Sequence, residues 1–414
     1  MTSAVRDRID QIRRGKIPEG YIKTVSGLAP AKWNRHTFGD IYVERKEPGN
    51  EDLPLLMVSI HSGVSNGEVA EEELPKKVKR IADKSQYKKA VSGDLVFNMM
   101  RAWQGAIGTV RTTGMVSPAY IVAEPNDKVY PMFMDYYTRT PQMIYQIDRQ
   151  SYGVTDFRKR LYWDSFTPIS CALPPIEEQQ KIAAILTAQD KIIELKENLL
   201  TKKQRQKKYL MQQLLMGKKR LPGFSGEWRF PKAKEIFRSI TNKDHDGNLM
   251  VLSSTQDKGI VPRDEVDIDI KYDTSSLINY KKVCKGHFVI SLRSFQGGIE
   301  YSAYTGLVSP AYTVLTPKRV ISDEYYKQFF KSTDYIKRLN VAVYGIRDGK
   351  QISYEDFGLL WIPYPPIEEQ TAIAEVLSTA DRELDLLRQD IEQEKQKKKA
   401  LMQLLLTGIV RVNV

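Results

Sequence analysis

Residues Pro174–Gly217 read PPIEEQQKIAAILTAQDKIIELKENLLTKKQRQKKYLMQQLLMG, and Pro365–Gly408 read PPIEEQTAIAEVLSTADRELDLLRQDIEQEKQKKKALMQLLLTG. An offset of 191 pairs Pro174 with Pro365, Glu177 with Glu368, Leu186 with Leu377, Asp190 with Asp381, Met211 with Met402 and Gly217 with Gly408. The spacing predicts one long helix, written twice, that divides the chain into two similar halves. The prolines suit a first helical turn, where a missing N–H costs little. Glu177 and Glu178, like Glu368 and Glu369, place negative charge at the positive end of the helix dipole. No Gly or Pro follows until Gly217 and Gly408, where C-terminal caps belong. Glu177 to Met216 spans 40 residues, about 60 Å of helix at roughly 1.5 Å per residue.

The apolar pattern says what such long helices do. Leu377, Ala380, Leu384, Leu387, Ile391, Leu401 and Leu405 alternate in steps of three and four apart from one gap, which makes a heptad seam. Ile185, Ile192 and Leu199, with Leu186 and Ile193, form a broader stripe in the first copy. Lys203 and Lys207, and Glu394 and Lys398, interrupt the seams; polar breaks of this kind weaken packing but can fix register. Each copy is the expected partner of the other, with Leu186, Ile193, Leu377, Leu384, Leu387 and Ile391 at the pairing face.

The 414 residues suffice for two or three domains with proper cores. Sixty-three Lys and Arg against 51 Asp and Glu give a net charge of +12, a weak pointer to nucleic acid. Cys171 and Cys284 lie in different halves without metal-ligand spacing and read as reduced thiols of a cytoplasmic protein. The charged start MTSAVRDRIDQIRRGK is not a signal peptide. No apolar run approaches the ~20 residues that span a bilayer, so no membrane is expected. Residues 3–15 look helical, with Val5, Ile9 and Ile12 on one face. The following GKIPEGY loosely matches GKKRLPGF at Gly217–Phe224, which would put the N-terminal segment where a helix end should precede the first half.

The expected divisions are 1–20, an N-terminal helical segment; 21–173, a first variable domain; 174–219, the first long helix; 220–364, a second variable domain; and 365–414, the second long helix. The variable domains match at landmarks 192 or 193 residues apart. Arg101-Ala102-Trp103-Gln104-Gly105 answers Arg293-Ser294-Phe295-Gln296-Gly297. Gly114–Tyr120 answers Gly306–Tyr312, each ending Val-Ser-Pro-Ala-Tyr. Tyr152-Gly153-Val154 answers Tyr344-Gly345-Ile346. Strands are expected over 95–100, 116–122, 288–292 and 308–314, and helices over 132–147 and 324–339. The fold class is α/β, with two repeated α/β domains. A shared scaffold with divergent loops suits two modules that recognise different things.

Catalytic signatures are missing from the sequence. Gly345–Lys350 has neither the spacing nor the Ser/Thr of a phosphate-binding loop, and no GxGxxG follows a strand. Neither Asn-Pro-Pro-aromatic nor Asp-Pro-Pro-aromatic occurs. His36, His61, His245 and His287 are scattered, so no metal site is expected. A DNA reader needs Arg or Lys for guanine, Gln or Asn for adenine, and positive charge along phosphates. The candidates are Arg101 and Gln104 with Arg293 and Gln296; Tyr152, Arg158, Lys159 and Arg160; Tyr344, Arg347 and Lys350; and the basic run Lys76, Lys77, Lys79 and Arg80. Trp103 and Phe295 read as core.

The chain closely resembles the specificity subunit of type I restriction-modification systems. PPIEEQ at Pro174–Gln179 and Pro365–Gln370 carries the resemblance, each followed by a long helix ending Leu-Met-Gly or Leu-Thr-Gly. Leu221–Trp228 (LPGFSGEW) opens the second half as in the family; Gly20-Tyr21 and Trp33 are the more divergent opening of the first. The resemblance implies two target recognition domains, each reading half of a split, asymmetric site in double-stranded DNA. It implies two long helices paired antiparallel as a coiled-coil spacer and as a platform for two methyltransferase subunits. Those partners use S-adenosylmethionine to methylate a flipped adenine, and restriction (translocase) subunits use ATP and Mg²⁺; no cofactor is implied on this chain. The competing reading is a pseudo-dimeric DNA-binding regulator without enzyme partners. The family carries over no fixed base-reading residues.

Overall fold

The computed structural model describes residues 3–412 apart from 26, 61–62, 67–83, 154–157, 267–273 and 343–351. Residues 3–195 with 391–412 make one compact unit, and 196–390 make the other. The division therefore runs through the middle of both long helices, Ile176–Leu214 and Ile367–Leu405.

In the first unit a four-stranded antiparallel sheet has the order 42–44, 120–125, 95–98, 107–109. Leu95, Phe97, Ile121 and Ala123 turn one face of it towards helices Pro131–Tyr137 and Pro141–Gln150, with Phe133, Met134 and Ile147 fully buried between. Val96 and Val122 face the other side, where hairpin 56–59/63–66 and pair 88–90/114–116 close a smaller core. This alternation follows from the two-residue period of a strand.

The second unit repeats the plan. Its sheet has the order 237–240, 313–317, 288–290, 300–301. Phe288 and Leu315 face helices Asp323–Phe330 and Thr333–Ala342, and Val289 and Val314 face hairpin 252–255/259–262. Its core is richer in rings: Phe237, Phe288, Tyr326 and Phe330 meet edge-on or tilted at 5.2–5.7 Å.

Three expectations need correction. Each segment expected as one helix, 132–147 and 324–339, is two. Thr140 caps a new helix whose first residue is Pro141, its Oγ accepting from Met143 N at 3.4 Å. Ser332 Oγ likewise accepts from Tyr335 N at 3.3 Å. Each strand expected through Val-Ser-Pro-Ala-Tyr is also two. Val116 ends a strand paired with 88–90, the chain turns as Tyr120 N donates to Ser117 O at 2.9 Å, and the next strand joins the sheet. Val308 and Tyr312 repeat this around Ser309. The proline is the physical reason, since it lacks a ladder donor. Third, the place before the first domain is taken by the end of the second long helix rather than by helix Ser3–Arg13. Gly408, at φ +69, lies against Pro30 and Trp33 just as Gly217, at φ +65, lies against Trp228. Tyr21 Oη donates to Gly408 O at 2.6 Å.

Candidate functional site

The repeated Pro-Pro-Ile-Glu-Glu-Gln segment works the same way in each unit. In the first, Gln179 accepts from Tyr130 N at 2.8 Å and donates to Pro174 O at 2.9 Å. In the second, Gln370 accepts from Ser322 N at 2.9 Å and donates to Pro365 O at 2.8 Å. Each glutamine thus ties the start of its long helix to the start of a domain helix. The preceding glutamate is buried and grips an arginine that follows the other long helix. Arg411 forks onto Glu178 with two bonds of 2.6 Å, and Arg220 onto Glu369 with two of 2.6 Å. Trp228 Nε1 adds a bond to Glu369 at 2.8 Å. Trp33, under Arg411 as Trp228 lies under Arg220, makes no such bond. Bidentate charge-assisted pairs of this kind fix geometry as well as energy.

The polar breaks in the seams face polar partners. In the first unit Gln189 donates to Glu394 at 2.7 Å and Lys398 pairs with Asp190 at 2.5 Å, the same aspartate that accepts from Tyr136 Oη at 2.7 Å. In the second, Lys207 pairs with Asp381, which accepts from Gln328 at 2.7 Å, while Lys203 pairs with Glu383 and Lys196 with Asp390. From Glu178 to Gln189 the partner falls from Arg411 to Glu394, and from Lys196 to Lys207 it falls from Asp390 to Asp381, so the helices run antiparallel within each unit. Leu186, Ile193, Leu377, Leu384 and Ile391 are buried and Leu387 is half-buried. Ile185, Ile192 and Leu199, expected in the first stripe, are exposed. Ile182, Ala183 and Leu186 share a core with Leu405 and Leu406, and Ile373, Ala374 and Leu377 share one with Leu214 and Leu215.

The structure brings the first domain's candidate DNA contacts together. Arg101 caps a short turn, Ala102–Gln104, and both Arg101 and Gln104 are exposed. Tyr152 and Arg160 bridge each other, and Leu161 N donates to Met99 O at 2.9 Å beside that turn. Lys159 ties three pieces together. Its Nζ bonds Asp148 at 3.0 Å and lies over the Trp103 ring at 5.8 Å. Lys159 is therefore half-buried and held in place, whereas Arg158 and Arg160 are exposed. Trp103 is half-buried, with Nε1 donating to Met100 O. Two exposed residues beside these contacts escaped the sequence reading: Tyr145, 60% exposed, and Arg149, whose guanidinium lies 5.9 Å from its ring. Their only signal was a large aromatic off the apolar face of helix Pro141–Gln150.

In the second domain Arg293 and Gln296 are exposed on turn Ser294–Gly297. Tyr344, Arg347 and Lys350 lie outside the described residues, as do Lys76, Lys77, Lys79 and Arg80. Lys331 holds the turn, donating to Gly297 O at 2.9 Å and Gln256 O at 3.1 Å and pairing with buried Glu300. In the first domain the same place is filled differently. At the position of Glu300 stands Gly108, whose Cβ would lie 3.0 Å from Asp135, and Asp135 pairs with Arg139, the counterpart of Lys331. Among the described residues no cluster of His, Cys, Asp or Glu is disposed to hold a metal, and no helix is long and apolar enough to cross a membrane.

Burial pushes the Glu300 carboxyl up to about 7, against the lowering pull of Lys331. A carboxyl whose folded pKa exceeds its unfolded one favours folding at low pH and loses that contribution as pH rises through the folded value. The second unit is therefore expected to lose on the order of 3 kcal/mol between pH 4.5 and 7 from this group. Urea unfolding of Glu300→Gln at pH 5 and pH 8 should show that loss abolished; an unchanged pH dependence would assign it elsewhere.

Residues 225–396 match the type I restriction modification DNA specificity domain. The match covers the second variable domain and most of the second long helix, and the relatives and structures similar to this chain are type I restriction-modification proteins. The chain is 25% identical over 363 residues to the type I restriction enzyme MjaVIII specificity subunit of Methanocaldococcus jannaschii, covering 79% of this chain and 83% of that one. It is 26% identical over 260 residues to the putative MjaX specificity subunit of the same organism, covering 58% of this chain and 59% of that one, under two thirds of the relative's length. Among solved structures, a chain from a study of assembly and conformational transition in the type I restriction-modification system superposes with a TM-score of 0.58. That match has 18% identity over 92% of this chain and 99% of the other. It shows that the two chains share a fold over nearly all of this sequence.

Proposed function

We propose that this chain is a type I restriction-modification specificity subunit that reads a bipartite, asymmetric sequence in double-stranded DNA, one half-site per recognition domain, and contributes no catalytic group itself. The observation that carries this is the doubled reading head. The Arg and Gln of the same turn stand exposed in both domains, Arg101 and Gln104 in one and Arg293 and Gln296 in the other, on the same sheet-and-helix scaffold, beside surfaces that differ. The net charge of +12 suits a phosphate-lined partner. The long helices set the gap between half-sites and dock two methyltransferase subunits. Those partners bring S-adenosylmethionine, and restriction subunits bring ATP and Mg²⁺. Such work inside the cytoplasm fits a chain with two unpaired cysteines, one of them, Cys171, buried.

Co-expression with a cognate methyltransferase subunit, followed by long-read detection of methylated adenine, tests the reading. A split motif with a fixed gap that vanishes when this chain is omitted is the expected result. No methylation from a soluble complex would overturn it. Lengthening both long helices by one heptad should change the gap and leave each half-site intact; an unchanged gap would remove the spacer role.

A further inference from the structure

Two reading heads on one chain provide an internal comparison, which rests on the function proposed above. Readers of different half-sites share the DNA backbone but not the bases. Features common to both heads should therefore contact phosphate, and features that differ should contact base edges. The Arg/Gln turns are common: Arg101 and Gln104 have Arg293 and Gln296 at an offset of 192, exposed in both. Each turn ends in a glycine with positive φ, Gly105 or Gly298, against the isoleucine at one position of the next helix, Ile144 or Ile336, at 3.7 and 3.5 Å from an ideal Cβ. The turn and that helix are thus neighbours in both heads.

The helix itself keeps its buried side and changes its exposed one. Met143 and Ile147 are replaced by Tyr335 and Leu339, all buried and all large. On the outer face Tyr145 and Arg149 are replaced by Lys337 and Val341, all exposed. These exchanges alter base-reading chemistry. Arginine offers a fork to guanine, lysine a point charge, and valine and tyrosine an apolar surface for the thymine methyl. Arg149 is held over the Tyr145 ring, itself 60% exposed.

We propose that the Arg/Gln turns grip phosphate in both heads, while the exposed face of the neighbouring helix, Tyr145 and Arg149 in one head and Lys337 and Val341 in the other, reads bases. This reassigns Arg101, Gln104, Arg293 and Gln296 from base readers to backbone anchors.

The test uses the complete complex with its methyltransferase, long-read methylation mapping, and binding measured against salt. Tyr145→Ala with Arg149→Ala should relax the first head's half-site, losing about tenfold or more in discrimination at an affected base pair, with the second half-site unchanged. Tyr145→Lys with Arg149→Val keeps an exposed helix surface and should shift that half-site rather than abolish binding. Arg101→Ala should weaken binding to all sequences alike, lower the log–log salt slope by about 1, and leave the methylated motif intact. An unchanged motif in both helix variants, in complexes that assemble and melt like wild type, would overturn the assignment. So would an altered motif in Arg101→Ala. A wild-type complex that selects no split motif would remove the proposed function, and this division of labour with it.

Discussion

Replacing Arg220 with alanine is expected to destabilise the second unit by about 3–5 kcal/mol, because it strands a buried carboxylate. Glu369 has no exposed side-chain surface, and Arg220 supplies two of its bonds, leaving Trp228 Nε1 as its donor among the described residues after truncation. The pair as such contributes less than that figure, since desolvating both ions costs much of what their attraction returns. Two further variants separate these effects. Glu369→Gln with Arg220→Ala removes the stranded charge and should recover a large part of the loss. Arg411→Ala leaves Glu178 equally buried and should destabilise the first unit to a similar degree. Urea unfolding of the three variants measures this, and a loss below about 1 kcal/mol in Arg220→Ala would mean that water reaches Glu369 and the clamp is a surface pair.

Leu384→Glu is expected to disrupt the pairing of the long helices. Leu384 is 5% exposed on the second long helix, between the Lys207–Asp381 pair and the half-buried Leu387. Putting a carboxylate there buries an unpaired charge, which costs several kcal/mol whether it stays ionised or takes up a proton. Leu384→Met, which keeps volume and polarity, should cost less than about 1.5 kcal/mol. Leu386→Glu, two residues on and 66% exposed, should cost almost nothing. Thermal melting of the chain and its recovery with a methyltransferase subunit are the readouts. Normal melting and assembly of Leu384→Glu would refute the seam.

The long helices were legible because their signals are local. Prolines at the start, glutamates in the first turn, glycine at positive φ after the end, and a three-four apolar rhythm all act within a turn or two of themselves. The doubled PPIEEQ and the shared landmarks likewise marked out the two-domain plan before any packing was known. The choice within each apolar stripe was not legible. Ile185 and Leu186 are neighbours along the chain and both are apolar, yet only Leu186 is buried.

By itself the sequence determined the repeat, the helix ends and the turn residues that stand exposed in both heads, since each is set by neighbours along the chain. Tertiary structure alone decided that the unit containing the first domain also takes the end of the second long helix, and that Glu178 closes on Arg411, 233 residues away. It also decided that the carboxylate paired with Arg139 in one head and with Lys331, its counterpart, in the other comes from Asp135 and from Glu300. Such contacts are selected by burial and charge complementarity across the fold. A carboxylate can reach one place from two backbone positions, so the chemistry of the site persists where the residue pattern does not.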